Sequence, residues 1–268
     1  MIKSLLKSIR IGWASKTLNM FLLALSYAYF SGLIIKNPYE VLGGLILVCL
    51  LWGGLYSLND YTDIESDREN PEKQDRAFIQ EKVEEKSVLS FIVILIIIVF
   101  IISLIFYSLI FTLILGLMLL NQILYTLPPF RLKNTILAPF TSTATNSVLR
   151  TASCCVLLGN LFLVPLPVYF FIYFAGMGTY SLYKNKKIFS QIIVILGVIT
   201  LGYIFYNGDM NLIQFGVAIL PSLIAAIPLY LSLFISKDKL MHLSDVIYHQ
   251  VALVFFTITI FYLLFITY

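Results

Sequence analysis

Charged side chains are scarce in this sequence. Only 12% of its 268 residues are Asp, Glu, Lys or Arg, whereas 60% are hydrophobic, and the mean hydropathy is +0.93. A water-soluble protein of this length could not cover its surface with so few charges. The composition therefore excludes a soluble globular domain and indicates an integral membrane protein. The net charge of +4 is too small to indicate nucleic-acid binding, so no nucleic-acid partner is expected.

Cysteine is also rare, and the three cysteines, Cys49, Cys154 and Cys155, all lie in apolar runs. They form neither a disulfide framework nor a metal-ligand spacing, so we interpret them as small packing residues. The first apolar run follows several basic residues, but it is about 20 residues long and lacks a small-residue cleavage site. We therefore expect it to be a transmembrane helix and not a cleaved signal peptide.

Long apolar runs dominate the chain, and nine of them are near the ~20 residues that cross a ~30 Å hydrocarbon core. Backbone groups in lipid must pair within their own segment, so these runs are expected to be helices. The sequence thus predicts an all-α, polytopic membrane protein with nine transmembrane helices. The runs are Trp13–Ile35, Val41–Leu58, Val88–Ile105, Leu109–Leu124, Ile136–Leu158, Pro165–Tyr183, Ile188–Tyr206, Leu212–Ile235 and Tyr248–Tyr268.

The basic residues support this arrangement. If the N-terminus is cytoplasmic, 16 of the 18 Lys and Arg residues fall in cytoplasmic segments or at their edges. Lys36 falls in an outside loop, and Arg150 falls within the fifth run. Cytoplasmic loops of membrane proteins carry an excess of Lys and Arg, so the pattern predicts nine spans with the N-terminus in the cytoplasm. Pro221 and Pro228 are expected to kink the eighth span.

A stretch of carboxylates follows the second run. Asn59, Asp63 and Asp67 are spaced at i, i+4 and i+8, and Asp60 lies beside them. If the helix continues through this stretch, the three side chains form a ladder on one face. Stacked carboxylates repel each other, and a hard divalent cation offsets that repulsion. We therefore predict that Asn59, Asp60, Asp63 and Asp67 bind Mg²⁺.

Basic residues follow the carboxylates and a later proline pair. Lys73 and Arg76 lie just after the predicted metal site, where they could stabilise a metal-bound diphosphate. After the fourth run, Pro128-Pro129 is expected to form a rigid turn that directs Arg131 and Lys133 towards a phosphate. A purely topological role for this second pair is an equal alternative from the residues alone.

Two motifs resemble those of a known family. Asn59-Asp60-x-x-Asp63-x-x-x-Asp67 is similar to the first aspartate-rich motif of the UbiA superfamily of intramembrane prenyltransferases, and Asn70-Pro71…Asp75-Arg76 resembles the sequence that follows it. Tyr125-Thr126-Leu127-Pro128-Pro129-Phe130-Arg131-Leu132-Lys133 is similar to a second segment of that family. Together with the nine runs, the resemblance covers essentially residues 1–268, which are expected to be one UbiA-like domain.

The resemblance implies Mg²⁺-dependent transfer of a prenyl group from a prenyl diphosphate to an acceptor within the membrane. The acceptor is not identified by the sequence; it is expected to be a lipophilic or aromatic molecule. Nine helices are expected to surround a central cavity that opens to membrane lipids, with the site facing the cytoplasm. Asp63, Asp67 and Arg150 are the candidate catalytic residues. The candidate diphosphate-binding residues are Lys73, Arg76, Tyr125, Arg131, Lys133 and Lys184.

The sixth run departs from the family pattern. Its cytoplasmic end, where the family has a second Asp-x-x-x-Asp motif, reads Thr179-Tyr180-Ser181-Leu182-Tyr183-Lys184-Asn185-Lys186-Lys187 and contains no acid. One hypothesis is that a lysine such as Lys184 contacts the diphosphate in place of a second metal. The alternatives are that the lysines only determine topology, or that the protein has another activity or none.

Polar residues within the fifth and last runs are further candidates. Arg150 is costly to bury in a membrane, and Asn146 lies one turn earlier, so we predict that both face a polar cavity. The alternative is that Arg150 snorkels to the interface or forms a purely structural pair. Tyr180 is assigned to the same cavity. Asp245 and His249 are spaced at i, i+4 and could form a structural pair or, alternatively, accept a proton.

Three functional alternatives differ in chemistry. A terpene cyclase of the same fold would quench the carbocation within its own prenyl chain and need no acceptor. A lipid-binding homologue without catalysis would release no diphosphate. A transporter would be expected to place its acids in mid-membrane, whereas the acids here cluster at one membrane face.

Overall fold

The computed structural model describes residues 2–69, 76–80, 84–235 and 237–266, so the predicted diphosphate ligand Lys73 lies outside the described residues. Within these ranges the chain is all-helical. A 3₁₀ turn covers Ile11–Ala14 and another Leu132–Asn134, and π-helical turns cover Phe140–Ala144 and Ile247–Val251. The α-helices are α1 (Ile2–Ser8), α2 (Ser15–Phe30), α3 (Pro38–Thr62), α4 (Ile64–Arg68), α5 (Ala77–Gln80), α6 (Glu85–Phe106), α7 (Leu109–Thr126), α8 (Thr145–Leu157), α9 (Leu166–Tyr183), α10 (Lys187–Tyr206), α11 (Leu212–Ala218), α12 (Leu220–Leu231), α13 (Lys237–Val246) and α14 (Ala252–Phe265).

Several helices begin at side-chain caps that the sequence encodes. The side chain of Asn37 accepts a hydrogen bond from the amide of Glu40 at the start of α3 (3.2 Å), and Pro38 occupies the first turn. Ser108 caps α7 in the same way. These caps satisfy amides that have no partner within the helix, and they fix where the spans begin.

The number of membrane spans is confirmed only in part. Five of the described helices are long and apolar enough to cross a membrane, or six if the bent pair α11–α12 is one span. The remaining predicted spans fall on shorter or interrupted helices. α2 has 16 residues, and the fifth apolar run is divided between a π-helical turn and the 13 residues of α8. The five spans are Pro38–Thr62, Glu85–Phe106, Leu109–Thr126, Lys187–Tyr206 and Lys239–Phe265.

The predicted kink in the eighth apolar run is present. α11 and α12 meet at Ile219 with a bend of 59°. Pro221 lies in the first turn of α12, where its missing N–H needs no helical partner, and Pro228 is accommodated inside α12. The break therefore occurs just before Pro221.

Helix α2 lies at the centre of the bundle. Thirteen of its side chains are buried, and it packs against α3, α8, α11 and α14. α3 packs against α6, α7 and α8, and α9 packs against α8, α10 and α12. α14 returns to α2, so the last helix closes the bundle around this central helix.

The outer helices expose apolar side chains. In α6, Ile94 and Ile101 are more than half exposed, and in α10 the same holds for Ile195 and Val198. Such a surface would be unfavourable in water, and it is the surface expected of a helix that faces lipid. The protein is therefore an integral membrane protein.

Gly176 allows a close backbone approach between α9 and the π-helical turn before α8. A Cβ at Gly176 would lie 2.6 Å from the Cα of Ala144 and 2.8 Å from its backbone nitrogen. Because these are backbone atoms, they could not rotate away from a larger side chain. This contact positions the start of α8, and with it the polar residues that α8 carries.

Candidate functional site

The predicted carboxylate ladder is broken at Asp63. α3 ends at Thr62, Asp63 has a non-helical ψ of 2°, and α4 begins at Ile64. The straight ladder required an uninterrupted helix, so that part of the prediction is wrong. The backbone bonds from Asp63 to Asn59 (3.2 Å) and from Asp67 to Asp63 (2.8 Å) keep the chain compact, and the three carboxylates stay at one end of the bundle.

Asp63 faces the segment after α7. Lys133 donates from Nζ to Oδ1 of Asp63 (2.5 Å), and Arg131 donates from Nη2 to the same oxygen (3.4 Å). Arg131 also donates to the carbonyl of Thr62 (3.3 Å), which lies at the negative end of the α3 dipole. Burial lowers the pKa of Lys133, and its hydrogen bond to Asp63 partly offsets that effect.

The proline turn places these two cations as predicted. Leu127–Phe130 form a turn closed by a hydrogen bond from the amide of Arg131 to the carbonyl of Leu127 (2.8 Å). Arg131 then adopts a left-handed backbone conformation (φ 39°) before the 3₁₀ turn that carries Lys133. Residues 68 and 70 positions apart, in two separate motifs, thus form a single site.

Asp60 and Asp67 share one arginine. Nη1 of Arg76 contacts a carboxylate oxygen of Asp67 and lies 3.3 Å from Oδ1 of Asp60. Asp60 also accepts a two-pronged ion pair from Arg10, with Nε of Arg10 at 3.1 Å from Oδ2. Both carboxylates are almost fully buried, so these pairs neutralise charges that would be costly if left alone.

We call these seven residues the acid–base cluster: Asp60, Asp63, Asp67, Arg10, Arg76, Arg131 and Lys133. Its four cations outnumber its three carboxylates. Among the described residues, no three His, Cys, Asp or Glu side chains converge to hold a metal. Each carboxylate is instead turned towards a base.

The donor set nevertheless fits Mg²⁺. This ion takes only one or two carboxylates and completes its shell with water and phosphate. Asp60 and Asp67 already hold one cationic nitrogen, Nη1 of Arg76, between their carboxylates. Asn59 donates from Nδ2 to Oδ2 of Asp63 at 3.4 Å, which leaves its amide oxygen as a further hard donor.

The ends of α7 and α9 lie beside this cluster. Tyr125, in the last turn of α7, is close enough to Asp63 and to Tyr180 of α9 for their charges to interact. Lys184 caps the C-terminus of α9 and is exposed. Lys186 lies over the ring of Tyr180, with Nζ 5.9 Å from the ring centre. The structure thus brings Tyr125 and Tyr180 together near the acids.

Asp245 was not predicted to lie near the end of α9. Its carboxylate accepts a hydrogen bond from the hydroxyl of Tyr183, in the last turn of α9. The predicted pairing of Asp245 with His249 is wrong. His249 Nδ1 is hydrogen-bonded to Ser15 Oγ (2.8 Å), and its ring stacks on Trp13, because the π-helical turn at Ile247–Val251 rotates His249 towards α2.

Arg150 is 2% exposed, and its guanidinium contacts side chains of α3 that are not part of the acid–base cluster. Its guanidinium stacks on Trp52, with Cζ 3.9 Å from the ring centre, and donates to the hydroxyl of Tyr56 (3.3 Å). Nε of Arg150 has no hydrogen-bond partner. Asn146 does not share its surroundings, because it accepts from Asn121 of α7 (2.9 Å).

A cavity of about 300 Å³ lies between α2, α9, α10, α12 and α13. This cavity is not lined by Arg150, Asn146 or Tyr180. The prediction that the three side chains face a common cavity is therefore wrong for this cavity. Arg150 packs towards α3, Asn146 packs towards α7, and Tyr180 lies near Tyr125 of α7. Polar side chains of α2 and the last span line the cavity instead, among them Lys16, Asn19, Tyr248 and His249.

The fold and these contacts define the class of protein: a helical membrane protein with buried acids and bases clustered at one end of its bundle. Residues 19–146 match the sequence profile of the UbiA prenyltransferase family. This match covers 128 of the 268 residues, just under half of the chain. No curated protein was found to match the sequence.

Solved structures share the fold. A UbiA homologue from Archaeoglobus fulgidus bound to GPP and Mg²⁺ has a TM-score of 0.70 at 12% identity, over 96% of this chain and 99% of that one. The apo UbiA homologue from Aeropyrum pernix K1 has a TM-score of 0.64 at 14% identity, over 90% and 96% of the two chains. The Archaeoglobus fulgidus homologue bound to DMAPP and Mg²⁺ has a TM-score of 0.59 at 13% identity, over 95% and 86%.

Sequence reasoning missed the role of Arg10. In the sequence, Arg10 is only one of the 16 basic residues that favour a cytoplasmic N-terminus, yet it pairs with Asp60 and lies over Trp13, with Cζ 4.8 Å from the ring centre. The N-terminal segment brings it there, since Ser8 bonds to Ser57 (2.7 Å) and Ile9 packs against Gly53 of α3. Only the tertiary fold joins residues 50 positions apart.

Proposed function

We propose that this protein transfers a prenyl group from a prenyl diphosphate to a lipophilic or aromatic acceptor within the membrane. The observation that carries the proposal is the acid–base cluster at the end of α3. There, Asp63 faces Arg131 and Lys133 of the second motif. Cations beside metal-binding carboxylates are what a diphosphate leaving group requires. The family and the similarity to homologues that bind GPP or DMAPP with Mg²⁺ support it.

In this proposal, Asn59, Asp60, Asp63 and Asp67 supply the ligands of Mg²⁺. The metal, when bound, would act as a Lewis acid that neutralises charge on the departing diphosphate. Asp63 and Asp67 are the carboxylates on which turnover depends most, because both lie against the bases that would hold the diphosphate.

The bases hold the diphosphate in the same proposal. Arg76, Arg131 and Lys133 would exchange their carboxylate partners for phosphate oxygens as the metal takes the carboxylates. Lys73 belongs to this set by its place in the first motif. The hydroxyl of Tyr125 would donate a further hydrogen bond, since it lies near Asp63.

Lys184 would compensate for the absent second aspartate motif. It caps α9, whose last turns carry Tyr180 close to Tyr125. A lysine at this position can neutralise phosphate charge directly, whereas an aspartate would need a second metal to do so. The excess of cations over carboxylates in the acid–base cluster is consistent with this substitution.

Arg150 would act on the reaction through the packing of Trp52 and Tyr56. We also propose that the chain is one domain that crosses the cell membrane nine times. Its N-terminus and site would face the cytoplasm, and a central cavity open to lipid would hold the hydrophobic parts of the substrates. The basic loops support that orientation.

Release of diphosphate tests the proposal. Purified protein in lipid nanodiscs is incubated with prenyl diphosphates of several chain lengths, with an acceptor-containing lipid extract, and with Mg²⁺ or excess chelator. We expect diphosphate release that requires Mg²⁺. Absence of release at every chain length would favour a homologue that binds lipid without catalysis.

A further inference from the structure

The cavity between α2, α9, α10, α12 and α13 has two chemically different walls. The wall formed by α9, α10 and α12 is mainly apolar, with side chains such as Phe171, Val198 and Leu229. The opposite wall is polar and comes from α2 and the last span. Its polar side chains include Lys16, Asn19, Tyr248 and His249, with Ser222 of α12 beside them. An apolar chain alone would not need the polar wall.

Asn19 has an unsatisfied acceptor on this polar wall. Its Nδ2 donates to Ser222 Oγ (2.7 Å) and lies 3.3 Å from the hydroxyl of Tyr248. Its carbonyl oxygen, Oδ1, is buried without a hydrogen-bond partner, and the residue is only 4% exposed. A buried carbonyl without a donor is unfavourable, so this oxygen is suited to receive an O–H or N–H from a molecule in the cavity.

Lys16 lies one turn before Asn19 and supplies a hydrogen-bond donor beside the Asn19 acceptor. Its Nζ lies over the ring of Trp13, 4.1 Å from the ring centre. No carboxylate in the described part of the chain lies within ion-pair distance of this ammonium. Nζ of Lys16 can therefore donate a hydrogen bond to an oxygen atom of a molecule in the cavity. Oδ1 of Asn19, which has no donor, lies on the same wall.

The polar wall adjoins the acid–base cluster. Lys16 lies over the ring of Trp13, and Arg10, which is paired with Asp60, lies over the same ring. A polar head held by Lys16 and Asn19 would thus lie one aromatic ring from Arg10, the base that pairs with the proposed metal ligand Asp60. This is where the acceptor of a transfer reaction must present its reactive end.

We propose that this cavity binds the acceptor and selects one with a hydroxyl group on an apolar body; the inference rests on the proposed function. The hydroxyl hydrogen is donated to Oδ1 of Asn19, and its oxygen accepts from Nζ of Lys16. A hydrocarbon would leave the Asn19 carbonyl unpaired. The apolar body lies along α9, α10 and α12.

Binding of two matched probes tests the proposal: 4-hexylphenol and its methyl ether, 4-hexylanisole, which keeps the oxygen but lacks the donor. A ligand that binds only the folded protein raises the thermal unfolding midpoint by mass action. For the wild-type protein in nanodiscs, we expect the phenol to bind about tenfold more tightly than the ether, the ratio expected from one buried hydrogen bond.

Two variants separate recognition from folding. In Asn19→Leu, the phenol is expected to bind no better than the ether, while binding of the ether is retained. In Lys16→Met, the preference for the phenol is expected to fall as well, so the test stands even if Asn19→Leu fails to fold. The matched control is Gln214→Leu, which removes a buried amide outside the cavity and should keep the wild-type preference.

Equal binding of both probes to the wild-type protein would overturn the proposal and favour a purely apolar occupant such as a prenyl chain. Binding of neither probe would overturn it too, as would a preference that survives in both variants. Diphosphate release by the same preparations separates this failure from failure of the proposed function. Mg²⁺-dependent release without a phenol preference would refute only the acceptor site.

Discussion

The Asp67→Asn variant is expected to consume prenyl diphosphate at least about a hundredfold more slowly than the wild-type protein. The substitution keeps the shape of the side chain but removes the charge that a metal would bind. Asp63→Asn is expected to have a similar effect, because it also deprives Lys133 and Arg131 of their carboxylate. Initial rates of diphosphate release in saturating Mg²⁺ measure both effects.

Glu65→Gln is the matched control for these variants. Glu65 lies between the two aspartates, on α4, but its side chain is exposed. Its loss of charge should leave the rate close to that of the wild type. If Asp63→Asn or Asp67→Asn retains the wild-type rate while Glu65→Gln does too, the carboxylates at these positions do not bind the catalytic metal.

The Arg76→Met variant is expected to unfold more easily, with a loss of about 3 kcal/mol in the free energy of unfolding. Arg76 pairs with Asp67 and with Asp60, whose carboxylates are 1% and 3% exposed. Removing the arginine leaves excess negative charge in a region that water barely reaches. Equilibrium unfolding in detergent micelles, without divalent cations, measures this loss.

Two comparisons support the interpretation of that loss. Lys86→Met removes an exposed cation at the start of α6 and is expected to change the free energy of unfolding by less than about 0.5 kcal/mol. The double variant Arg76→Met/Asp67→Asn should recover part of the lost stability, since one buried charge is gone. Full stability of Arg76→Met would show that its ion pairs do not neutralise a buried charge.

The membrane class and the fold could be predicted because they depend on local composition. In the described part of the chain, most of each apolar run lies in helix, since lipid leaves the backbone no other way to pair. The number of complete spans could not be fixed in this way. The break at Phe140–Ala144 and the shortness of α2 depend on packing against neighbouring helices, as at Gly176.

Most residues of the acid–base cluster could be predicted from the sequence, whereas the pairing of each acid with its base could not. Two motifs indicated Asp63 and Lys133, and the turn at Pro128-Pro129 explains how Lys133 reaches Asp63. No local signal indicated that Arg10 would pair with Asp60, or that Arg150 would stack on Trp52. Both contacts join segments that are far apart in the sequence, so their physical cause lies in tertiary packing.

The ion pairs of the acid–base cluster compete with metal binding at its three aspartates. Each predicted metal ligand among the three aspartates is engaged by an arginine or a lysine. A divalent cation must therefore compete with these bases, and the competition becomes favourable when the bases gain phosphate oxygens in exchange. In the proposed mechanism, metal and diphosphate are thus expected to bind together more tightly than either alone.

Mass spectrometry of the lipids formed by the purified protein tests the proposed transfer most directly. The protein in nanodiscs is supplied with prenyl diphosphate, Mg²⁺ and a lipid extract, with Asp67→Asn as the parallel reaction. We expect a new lipid whose mass is that of an acceptor plus one prenyl group, formed by the wild-type protein only in Mg²⁺. A product derived from the prenyl chain alone, or no product at any chain length, would contradict prenyl transfer.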